Sequence, residues 1–444
     1  MKAHFSKAGF ILAAAGSAIG LGNIWKFPYI TGVYGGGAFV LAYIVAVLFI
    51  GIPLLIGEMA IGAIGKKDPV GSFESLAKKA AGVWKNVGFS MLTGLVILSF
   101  YSIVIGWILY YLFLSLSTLP QTVEEAKTVF ETMLALDIKT QILFHTLSMV
   151  ITVFIVYLGV DKGIEKTNLI LLPILFVILL FLFFYSMSFD SFSLAVGFMF
   201  VPDFSLLTPK ALLVAVGHAF FTLSLGMATM LTYASYTDKN TNYVKSAIIV
   251  SLMEIGVAIF VGITLFAFLF NFGFESNQGP GLVFVSMPSL FYNFGMFGNI
   301  LAVLFFIALA FASITSAISI LEPTTAYIMA EKKWSRKKSV AVFGALVWGV
   351  GILLLLSNTK EYSATFTFFS KGLFDWFDFV SSAILLILGG IFTALFLGFG
   401  ADKNNLKMHM THFMSDFAFE AWYFGVKYCI PPVLIALMIY MISE

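Results

Sequence analysis

Two short stretches rich in glycine and hydroxyl residues interrupt otherwise apolar segments of this 444-residue sequence. The first is GSAIGLGN, residues 16–23, and the second is TLSLGMAT, residues 222–229. Glycine weakens a helix by about 1 kcal/mol relative to alanine, so each stretch predicts an interrupted helix. An interrupted helix leaves backbone carbonyls free to bind a cation and N–H groups free to bind an anion. These residue types therefore indicate a site for an ion and a small charged molecule.

Close helix packing is the alternative explanation, because small residues let two helices approach each other. Gly16 and Gly20 alone fit that alternative as well as they fit a site. The second interrupted stretch, and the amide Asn23 at the end of the first, favour a site. Carboxylates inside apolar segments are costly and are functional by default. Three are placed near the membrane midplane: Glu58, Glu254 and Glu322.

The composition identifies a polytopic membrane protein. Hydrophobic residues make up 60% of the chain and charged residues 11%, whereas a soluble domain has about 25% charged residues. The single cysteine, Cys429, excludes an internal disulfide and a cysteine metal site. The basic run 331–338 is interpreted as a solvated cytoplasmic turn, so no nucleic-acid partner is expected. No connection is long enough for a soluble domain, so function must lie inside the membrane bundle, and a membrane enzyme is the least favoured class.

Because a helix needs about 20 apolar residues to cross a bilayer, the sequence can be divided into spans. Eleven candidates result: 9–33, 38–64, 86–116, 141–159, 167–189, 210–236, 243–272, 299–330, 339–357, 376–399 and 418–441. Residues 275–297 are too broken by glycine and proline to span, and are predicted to fold back over the protein as an external loop. Lysine and arginine concentrate on the side of the N-terminus, which predicts a cytoplasmic N-terminus and an external C-terminus.

The two interrupted stretches lie in the first and the sixth candidate span. Matching interruptions in two five-span halves indicate an inverted repeat with a binding site near the membrane midplane. We therefore predict one transmembrane domain over 1–444, with repeat one at about 9–189, repeat two at about 210–399 and an extra helix at about 418–441.

Several motifs make the interpretation specific. They are GSAIGLGNIWKFPY (16–29), GGGAF (35–39), GIPLLIGE (51–58), FFTLSLG (220–226), TYASY (232–236), SITSAISILEP (313–323) and LFDWFDF (373–379). Together they resemble the neurotransmitter:sodium symporter family over nearly the whole chain. The resemblance implies an all-α polytopic protein with the leucine-transporter fold: a 5+5 inverted repeat, 11 transmembrane helices as in a bacterial group, and helices 1 and 6 unwound at the midplane. It also implies two sodium ions and one central substrate in the plasma membrane of a bacterium.

The resemblance assigns sodium ligands, and oxygen is the ligand type that a hard cation prefers. The second sodium site would take the carbonyls of Gly16, Ile19 and Ala312 and the hydroxyls of Thr315 and Ser316. The first would take the Ala18 carbonyl, the Asn23 side chain, Thr222 and the residue at the position of a family asparagine, Glu254. Thr315 and Ser316 could instead bond back to their own helix.

Glu254 departs from the family pattern. Chloride-independent bacterial relatives carry an acid one turn later, where this chain has Ala258. We expect Glu254 to be both a sodium ligand and a fixed negative charge, so that chloride is not required. The alternative is a protonated, hydrogen-bonded Glu254. By the same resemblance, Glu58 is expected to accept hydrogen bonds from amides of the broken helices, with Glu322 beside the same network.

The substrate pocket also follows from the resemblance. Amides near Leu21 and Gly22 with the Tyr101 hydroxyl would hold a carboxylate, and carbonyls of Ala18, Phe221 and Thr222 would hold an amine. The side-chain pocket would be lined by Ile97, Phe221, Ser224, Met227, Ala317 and Ile320. A hydrophobic or aromatic amino acid is the first hypothesis. An indole or arylamine without a carboxylate is the alternative, because Glu254 would repel a second carboxylate.

The gates are assigned in the same way. Lys26 and Asp378 resemble an external gate pair, with Phe221 and Tyr101 as the lid beneath. The cytoplasmic arginine of the family has no counterpart, and Ala330 stands where its aspartate partner is expected; Lys2 or Lys7 with Glu331 could substitute. The implied function is sodium-coupled import of a small molecule by alternating access, with a monomer sufficient and an oligomer allowed. A channel and a non-transporting sensor are the rival classes.

Overall fold

The structure is a computed structural model that describes residues 4–274 and 281–443. Its helices are α1 Lys7–Ala18, α2 Phe27–Val33, α3 Gly37–Ala46, α4 Ile52–Gly65, α5 Pro69–Leu76, α6 Ala81–Trp84, α7 Met91–Leu114, α8 Val123–Ala135, α9 Ile138–Tyr157, α10 Lys166–Ser186, α11 Phe192–Phe200, α12 Pro209–Thr222, α13 Thr229–Ser235, α14 Tyr243–Asn271, α15 Met287–Tyr292, α16 Met296–Lys332, α17 Arg336–Leu356, α18 Leu373–Phe379, α19 Leu386–Leu395, α20 Lys403–Met410, α21 Asp416–Phe424 and α22 Ile430–Ser443. The short strands β1 Thr367–Phe368 and β2 Lys371–Gly372 pair antiparallel.

Several long helices contain π-helical turns that join two of these segments into one rod. Such turns connect α3 to α4 (Val47–Gly51), precede α10 (Val160–Glu165) and connect α21 to α22 (Gly425–Cys429). By length and composition, nine helices in the described ranges could cross a membrane, and ten if the bent first pair is one span. The remaining predicted span, 210–236, is divided between α12 and α13, each too short to cross alone. The predicted number of eleven therefore remains a prediction.

The first predicted span is interrupted where its glycines indicated. α1 ends at Ala18, and Ile19 has an extended conformation with φ −92° and ψ 94°. A π-helical turn over Gly22–Lys26 then leads into α2, so that the two halves form a bent pair with an angle of 46°. Backbone groups around Ile19 and Gly20 are thus released from the regular helical ladder.

The sixth predicted span is interrupted over a longer stretch. α12 ends at Thr222 and α13 begins at Thr229. Between them Ser224, Gly226 and Ala228 have left-handed φ values of 55°, 77° and 58°. A side chain at Gly226 would collide with the carbonyl oxygen of Leu386, so glycine is required there. For serine and alanine, a left-handed backbone conformation costs about 1–3 kcal/mol of conformational strain per residue. The packing of the surrounding bundle must offset that strain.

The helices around the two interruptions form a single buried core. α1 packs against α10, α14 and α16, while α13 packs against α4. The 37-residue α16 also runs alongside α7. Part of the predicted loop 275–297 is described: a π-helical turn over Leu282–Ser286 and α15, both buried against the bundle. Residues 275–280 lie outside the described ranges. The core thus holds the two helix breaks at its centre.

Candidate ion and substrate site

A small cavity of about 20 Å³ lies between the two helix breaks. That volume accommodates roughly one water molecule. Ten predicted substrate-binding residues line it: Ala18, Leu21, Gly22, Ile97, Tyr101, Phe221, Thr222, Ser224, Met227 and Ile320. Ala317 is buried but is not among the lining residues. Ser17, Gly20 and Ser316 also line the cavity, and Ser17 was not singled out from the sequence.

Ser17 joins the two broken helices to each other and to α16. Its hydroxyl donates to Ser224 Oγ at 3.1 Å and shares a 2.7 Å hydrogen bond with Ser319 Oγ. Ser224 Oγ donates in turn to the Ser17 carbonyl at 3.0 Å. Ser224, which has a positive φ, therefore makes two hydrogen bonds to Ser17 at the break in the first span. Neither Ser17 nor Ser319 follows a sequence pattern that distinguishes it from other membrane serines.

Oxygen atoms predicted for the second sodium site come together around Ser316, which lines the cavity. Ser316 Oγ lies 3.2 Å from the Gly16 carbonyl oxygen, 3.3 Å from that of Ser17 and 3.1 Å from that of Ala312. Thr315 Oγ1 lies 3.0 Å from the carbonyl oxygens of both Phe311 and Ala312.

Two observations bear on the oxygen cluster around Ser316. Both hydroxyls also donate to carbonyls of their own helix, which is the alternative that the sequence left open for them. Ile19, the remaining predicted ligand, is fully buried, and its N–H donates to the Ala15 carbonyl at 2.7 Å. The structure therefore brings together Gly16, Ala312, Thr315 and Ser316, whereas the Ile19 carbonyl as a ligand stays a prediction.

A second polar cluster surrounds the fully buried Glu254 on α14. Asn23 Nδ2 donates to Glu254 Oε1 at 2.6 Å, and the Tyr43 hydroxyl donates to the same oxygen. Tyr43 also hydrogen-bonds Thr222 Oγ1 at 3.1 Å. Within the described residues, Glu254 Oε2 is buried and has no hydrogen-bond partner. Three of the residues predicted for the first sodium site, Asn23, Thr222 and Glu254, are thus placed together; the Ala18 carbonyl as a further ligand stays a prediction.

Tyr43 was not predicted as part of this cluster. It lies on α3, one helical turn after the glycine-rich GGGAF motif, and its side chain is 1% exposed. A tyrosine in an apolar span is common, so its type and spacing gave no signal. Its hydroxyl nevertheless reaches both Glu254 and Thr222 and so connects α14 with the sixth-span break.

The two other buried carboxylates, Glu58 and Glu322, have different hydrogen-bond partners. Glu58 Oε1 accepts a hydrogen bond from the Gly226 amide at 2.7 Å, at the sixth-span break. Glu322 instead accepts from the Tyr236 hydroxyl at 2.7 Å and pairs with the Arg336 guanidinium. The expectation that Glu322 neighbours the Glu58 network is therefore wrong. Glu322 lies six residues beyond Ser316 on α16, about 9 Å along the helix axis, which carries it away from the cavity.

Arg336 was not predicted as the partner of Glu322. It is the first residue of α17 and also donates through Nε to the Val156 carbonyl at 2.7 Å. The sequence places it in the basic turn 331–338, where seven of eight residues have ionisable or polar side chains that are typical of a solvated turn. Its side chain is 17% exposed, so this arginine is directed into the protein rather than into solvent.

The predicted gate pairs are not in contact. Lys26 Nζ lies 4.9 Å from the centre of the Phe221 ring, and Asp378 accepts a hydrogen bond from Ser382 at 3.2 Å. Among the described residues no ion pair joins Lys26 to Asp378, or Lys7 to Glu331, and Lys2 lies outside the described ranges. At the start of α1, Glu165 accepts a hydrogen bond from the Ser6 amide at 3.2 Å instead.

Comparison with known proteins identifies the family. The model of the sodium:neurotransmitter symporter family matches residues 2–142 and 126–444, which together cover almost the entire chain. The chain belongs to this family. A sodium-dependent transporter of Bacillus subtilis (strain 168), YhdH, is 35% identical over 99% of this chain and 97% of its own length. A sodium-dependent transporter of Haemophilus influenzae is 30% identical over 98% of this chain and 96% of its own length.

A solved structure supports the same assignment. The crystal structure of MhsT in complex with L-phenylalanine has a TM-score of 0.90 and 36% identity, and the match covers 99% of this chain and 100% of that one. The leucine-transporter fold predicted from the motifs is therefore confirmed, as is the family. This member of the family is a sodium-dependent membrane transporter rather than an enzyme.

Proposed function

We propose that this symporter imports a hydrophobic or aromatic amino acid, driven by two sodium ions, through alternating access. The observation that carries the proposal is the cavity between the two helix breaks, which is lined both by Thr222 of the Glu254 cluster and by Ser316 of the other oxygen cluster. Ions and substrate held at the same two breaks would be able to stabilise one another, because each fixes the backbone that the other binds.

The proposed first sodium site uses the donor chemistry of the Glu254 cluster. A fully buried carboxylate oxygen without a hydrogen-bond partner carries a large desolvation cost, and a cation beside it offsets that cost. Asn23 Oδ1, Thr222 Oγ1 and the Ala18 carbonyl would supply the remaining oxygens, as a hard cation requires. Since Glu254 brings a fixed negative charge, we propose that transport does not require chloride.

The proposed second sodium site uses carbonyls that the first break releases. Gly16, Ile19 and Ala312 would contribute carbonyl oxygens, and Thr315 and Ser316 their hydroxyls. Ser316 Oγ already lies within 3.3 Å of two carbonyl oxygens of α1. Rotation of this hydroxyl proton away from the carbonyls would leave its lone pairs free for the ion.

The substrate class follows from the cavity lining. Ile97, Met227 and Ile320 supply apolar surface, while the Tyr101 hydroxyl lies 3.5 Å from the Leu21 amide at the polar end. A side chain at Gly20 would bring Cβ within 2.6 Å of Ser316 Oγ, which disfavours the aspartate that monoamine carriers have there. MhsT, the structural relative described above, was crystallised with L-phenylalanine. These observations favour an apolar α-amino acid.

The alternative substrate is an aromatic molecule without a carboxylate, such as an indole or an arylamine. The unpartnered Glu254 oxygen favours it, because a second carboxylate near the same cation would be repelled. The cavity itself has about 20 Å³, so either substrate requires the helices around it to separate.

The proposed cycle uses the residues of the gates. Phe221 would cover the substrate from one side under the Lys26 ammonium, and approach of Asp378 to Lys26 would close the external path. Movement of α1 and α13 would then open the opposite side. We place the N-terminus in the cytoplasm and the C-terminus outside the plasma membrane, and we propose that one chain is sufficient for transport.

A binding screen tests the substrate assignment. The purified protein is heated with single amino acids, indoles and arylamines, in sodium or in potassium, and its thermal midpoint is recorded. Stabilisation by leucine, phenylalanine or tryptophan that requires sodium supports the proposal. Stabilisation by indole alone would establish the alternative, and stabilisation independent of sodium would contradict both.

A further inference from the structure

A short hairpin at the beginning of the span Leu373–Gly400 exposes an aromatic tip. Its strands β1 and β2 are joined by Phe369 and Ser370, whose φ values are 49° and 65°. A two-residue turn of this kind favours asparagine and glycine, because left-handed φ values strain other residues. Phe369 nevertheless occupies the turn, and its side chain is 93% exposed. The ring therefore adds little to the core, and an apolar partner outside the chain would explain a phenylalanine at this turn.

Lys371 follows the tip and lies over two aromatic rings. Its Nζ is 4.7 Å from the centre of the Phe379 ring and 5.7 Å from that of the Trp376 ring. Trp376 Nε1 donates to the Phe368 carbonyl at 2.8 Å, so the hairpin is bonded to α18. An ammonium in this position keeps its charge in a polar environment while its stem covers apolar surface. A lysine beside a tryptophan at the end of a span is typical of the boundary between lipid and water.

Lys427 forms a similar cluster at the other end of the same span. Its Nζ is 4.6 Å from the centre of the Phe399 ring, 5.2 Å from that of Tyr428 and 5.6 Å from that of Tyr423. Phe399 belongs to the π-helical turn that ends the span. A Cβ at Gly398 would come within 2.8 Å of Lys427 Cγ, so the stem of the lysine lies directly on the end of the span. One span thus has a lysine over aromatic rings at each end.

The separation of the two clusters matches the thickness of a bilayer. The span Leu373–Gly400 has 28 residues, which extend over about 42 Å at the helical rise. A bilayer that includes both headgroup regions is about 40–45 Å thick. When this span crosses the membrane, the ammonium groups of Lys371 and Lys427 therefore lie at the headgroup levels of opposite leaflets.

Both lysines have a positive charge that no carboxylate neutralises. Among the ion pairs of residues 4–274 and 281–443, none involves Lys371 or Lys427. Lys403, which lies 4.9 Å from the centre of the Tyr423 ring, is by contrast paired with Glu420 at 2.6 Å. Exposed aromatic rings lie beside each unpaired ammonium. Each cluster therefore suits a molecule with an anionic head and an apolar tail.

We propose that Lys371 and Lys427 each bind the phosphate of an anionic phospholipid, one in each leaflet, and that Phe369 enters the lipid beside the Lys371 site. A phospholipid is the occupant because the length of the span places both ammonium groups at headgroup level. The proposal depends neither on the transported substrate nor on sodium. Because the hairpin is bonded to α18, a lipid bound at Lys371 also fixes the position of that helix.

Counting bound lipids by native mass spectrometry tests the two sites. The purified protein in detergent is titrated with dioleoylphosphatidylglycerol, and the populations with one and two bound lipids are measured. Lys371→Gln and Lys427→Gln should each weaken one site about fivefold, which is the order of the contribution of one lysine near a membrane surface. The double variant should weaken both sites. Arginine at either position should retain binding, because a guanidinium also binds phosphate.

Each site has a matched control at its own end of the span. Lys360→Gln is the control for the Lys371 site, since Lys360 is an exposed lysine in the connection that leads to β1. Lys79→Gln is the control for the Lys427 site. Lys79 is exposed, and the amide of its neighbour Lys78 donates to the Gly400 carbonyl at 2.8 Å. Both control variants should bind the lipid as the parent does.

A spin label measures the depth of the hairpin tip. Cys429, which is exposed, is replaced by serine, and Phe369→Cys is labelled with a nitroxide in phosphatidylglycerol vesicles. Thr365→Cys, an exposed position in the same connection, is the control. The label at 369 should be less accessible to a water-soluble nickel complex, and more accessible to oxygen, than the label at 365.

Four outcomes would overturn the proposal. Unchanged lipid binding in both glutamine variants would show that the bound lipids surround the protein without using these lysines. An equal loss in Lys360→Gln or Lys79→Gln would show an effect of total charge alone. Displacement of the lipid by inorganic phosphate at the same concentration, or equal binding of phosphatidylcholine, would show that the sites do not select an anionic phospholipid. Equal nickel access at 369 and 365 would show that the tip lies in water.

Discussion

Asn23 Nδ2 donates a 2.6 Å hydrogen bond to Glu254 Oε1, and the two residues are 231 positions apart in the chain. Asn23 belongs to the first interrupted span and Glu254 to the fully helical α14. We propose that Asn23 Oδ1, which accepts a hydrogen bond from the Gly20 amide at 3.1 Å, uses its second lone pair for the cation together with the unpartnered Glu254 Oε2. This pair then forms the negative side of the proposed first sodium site. Its chemistry leads to the first prediction.

Glu254→Gln should lower apparent sodium affinity by about tenfold or more, because it removes the negative charge beside a desolvated cation; a tenfold change corresponds to about 1.4 kcal/mol. The change keeps the size and the hydrogen bond to Tyr43. Sodium titration of thermal stability measures the effect. Glu361→Gln, at an exposed carboxylate, is the control. Unchanged sodium affinity in Glu254→Gln would remove this residue from the ion site.

Ser316→Ala should also weaken sodium binding, because it removes an oxygen near the carbonyls of Gly16 and Ala312. Ser313→Ala on the same helix is the matched control, since within the described ranges the hydroxyl of Ser313 donates only to the Ala310 carbonyl, at 3.1 Å. We expect a decrease of at least about fivefold in sodium affinity for the first variant and none for the second. Equal effects of the two variants would indicate that Ser316 serves only its own helix.

Tyr101→Phe distinguishes the two substrate classes. The hydroxyl of Tyr101 lies beside the Leu21 amide, where an amino-acid carboxylate would bind. Loss of a hydrogen bond to a charged group costs about 1.5–3 kcal/mol, so affinity for leucine or phenylalanine should fall at least tenfold. Binding of indole should be unaffected. Tyr111→Phe is the control, because that buried hydroxyl has no partner among the described residues. Equal loss of both ligand classes would place the carboxylate elsewhere.

Arg336→Gln should destabilise the fold by about 3–5 kcal/mol, because it leaves the Glu322 carboxylate buried without its ionic partner. Glu322 is 0% exposed in this pair. The double variant Arg336→Gln with Glu322→Gln should recover much of that loss, which a double-mutant cycle of unfolding free energies measures. Additive effects of the two single changes would show that the pair does not interact.

The fold could be predicted because its determinants are local. Glycines at 16, 20 and 22 and the TLSLGMAT stretch are visible as helix breakers, and the helices do break there. The motifs then give the family, which the comparisons confirm. The number of membrane spans is harder to establish, because a broken span such as 210–236 contains no single helix long enough to cross a membrane.

Contacts between distant segments could not be predicted in the same way. Tyr43 and Arg336 are ordinary residue types at unremarkable spacings, and their roles arise only when α3 meets α14 and α17 meets α16. The gate residues Lys26 and Asp378 depend on how far the helices have closed, which side-chain type alone does not specify. The helix breaks were predictable, whereas the partners that cross them required the packed structure.

Uptake into proteoliposomes tests the central claim most directly. The purified protein is reconstituted, and accumulation of labelled leucine, phenylalanine or tryptophan is followed under an inward sodium gradient, with potassium or choline in matched vesicles. We predict accumulation above the external concentration in sodium, independent of chloride, and abolished when an ionophore collapses the gradient. Uptake that is unchanged when potassium or choline replaces sodium, or that never exceeds equilibrium, would contradict sodium-coupled symport.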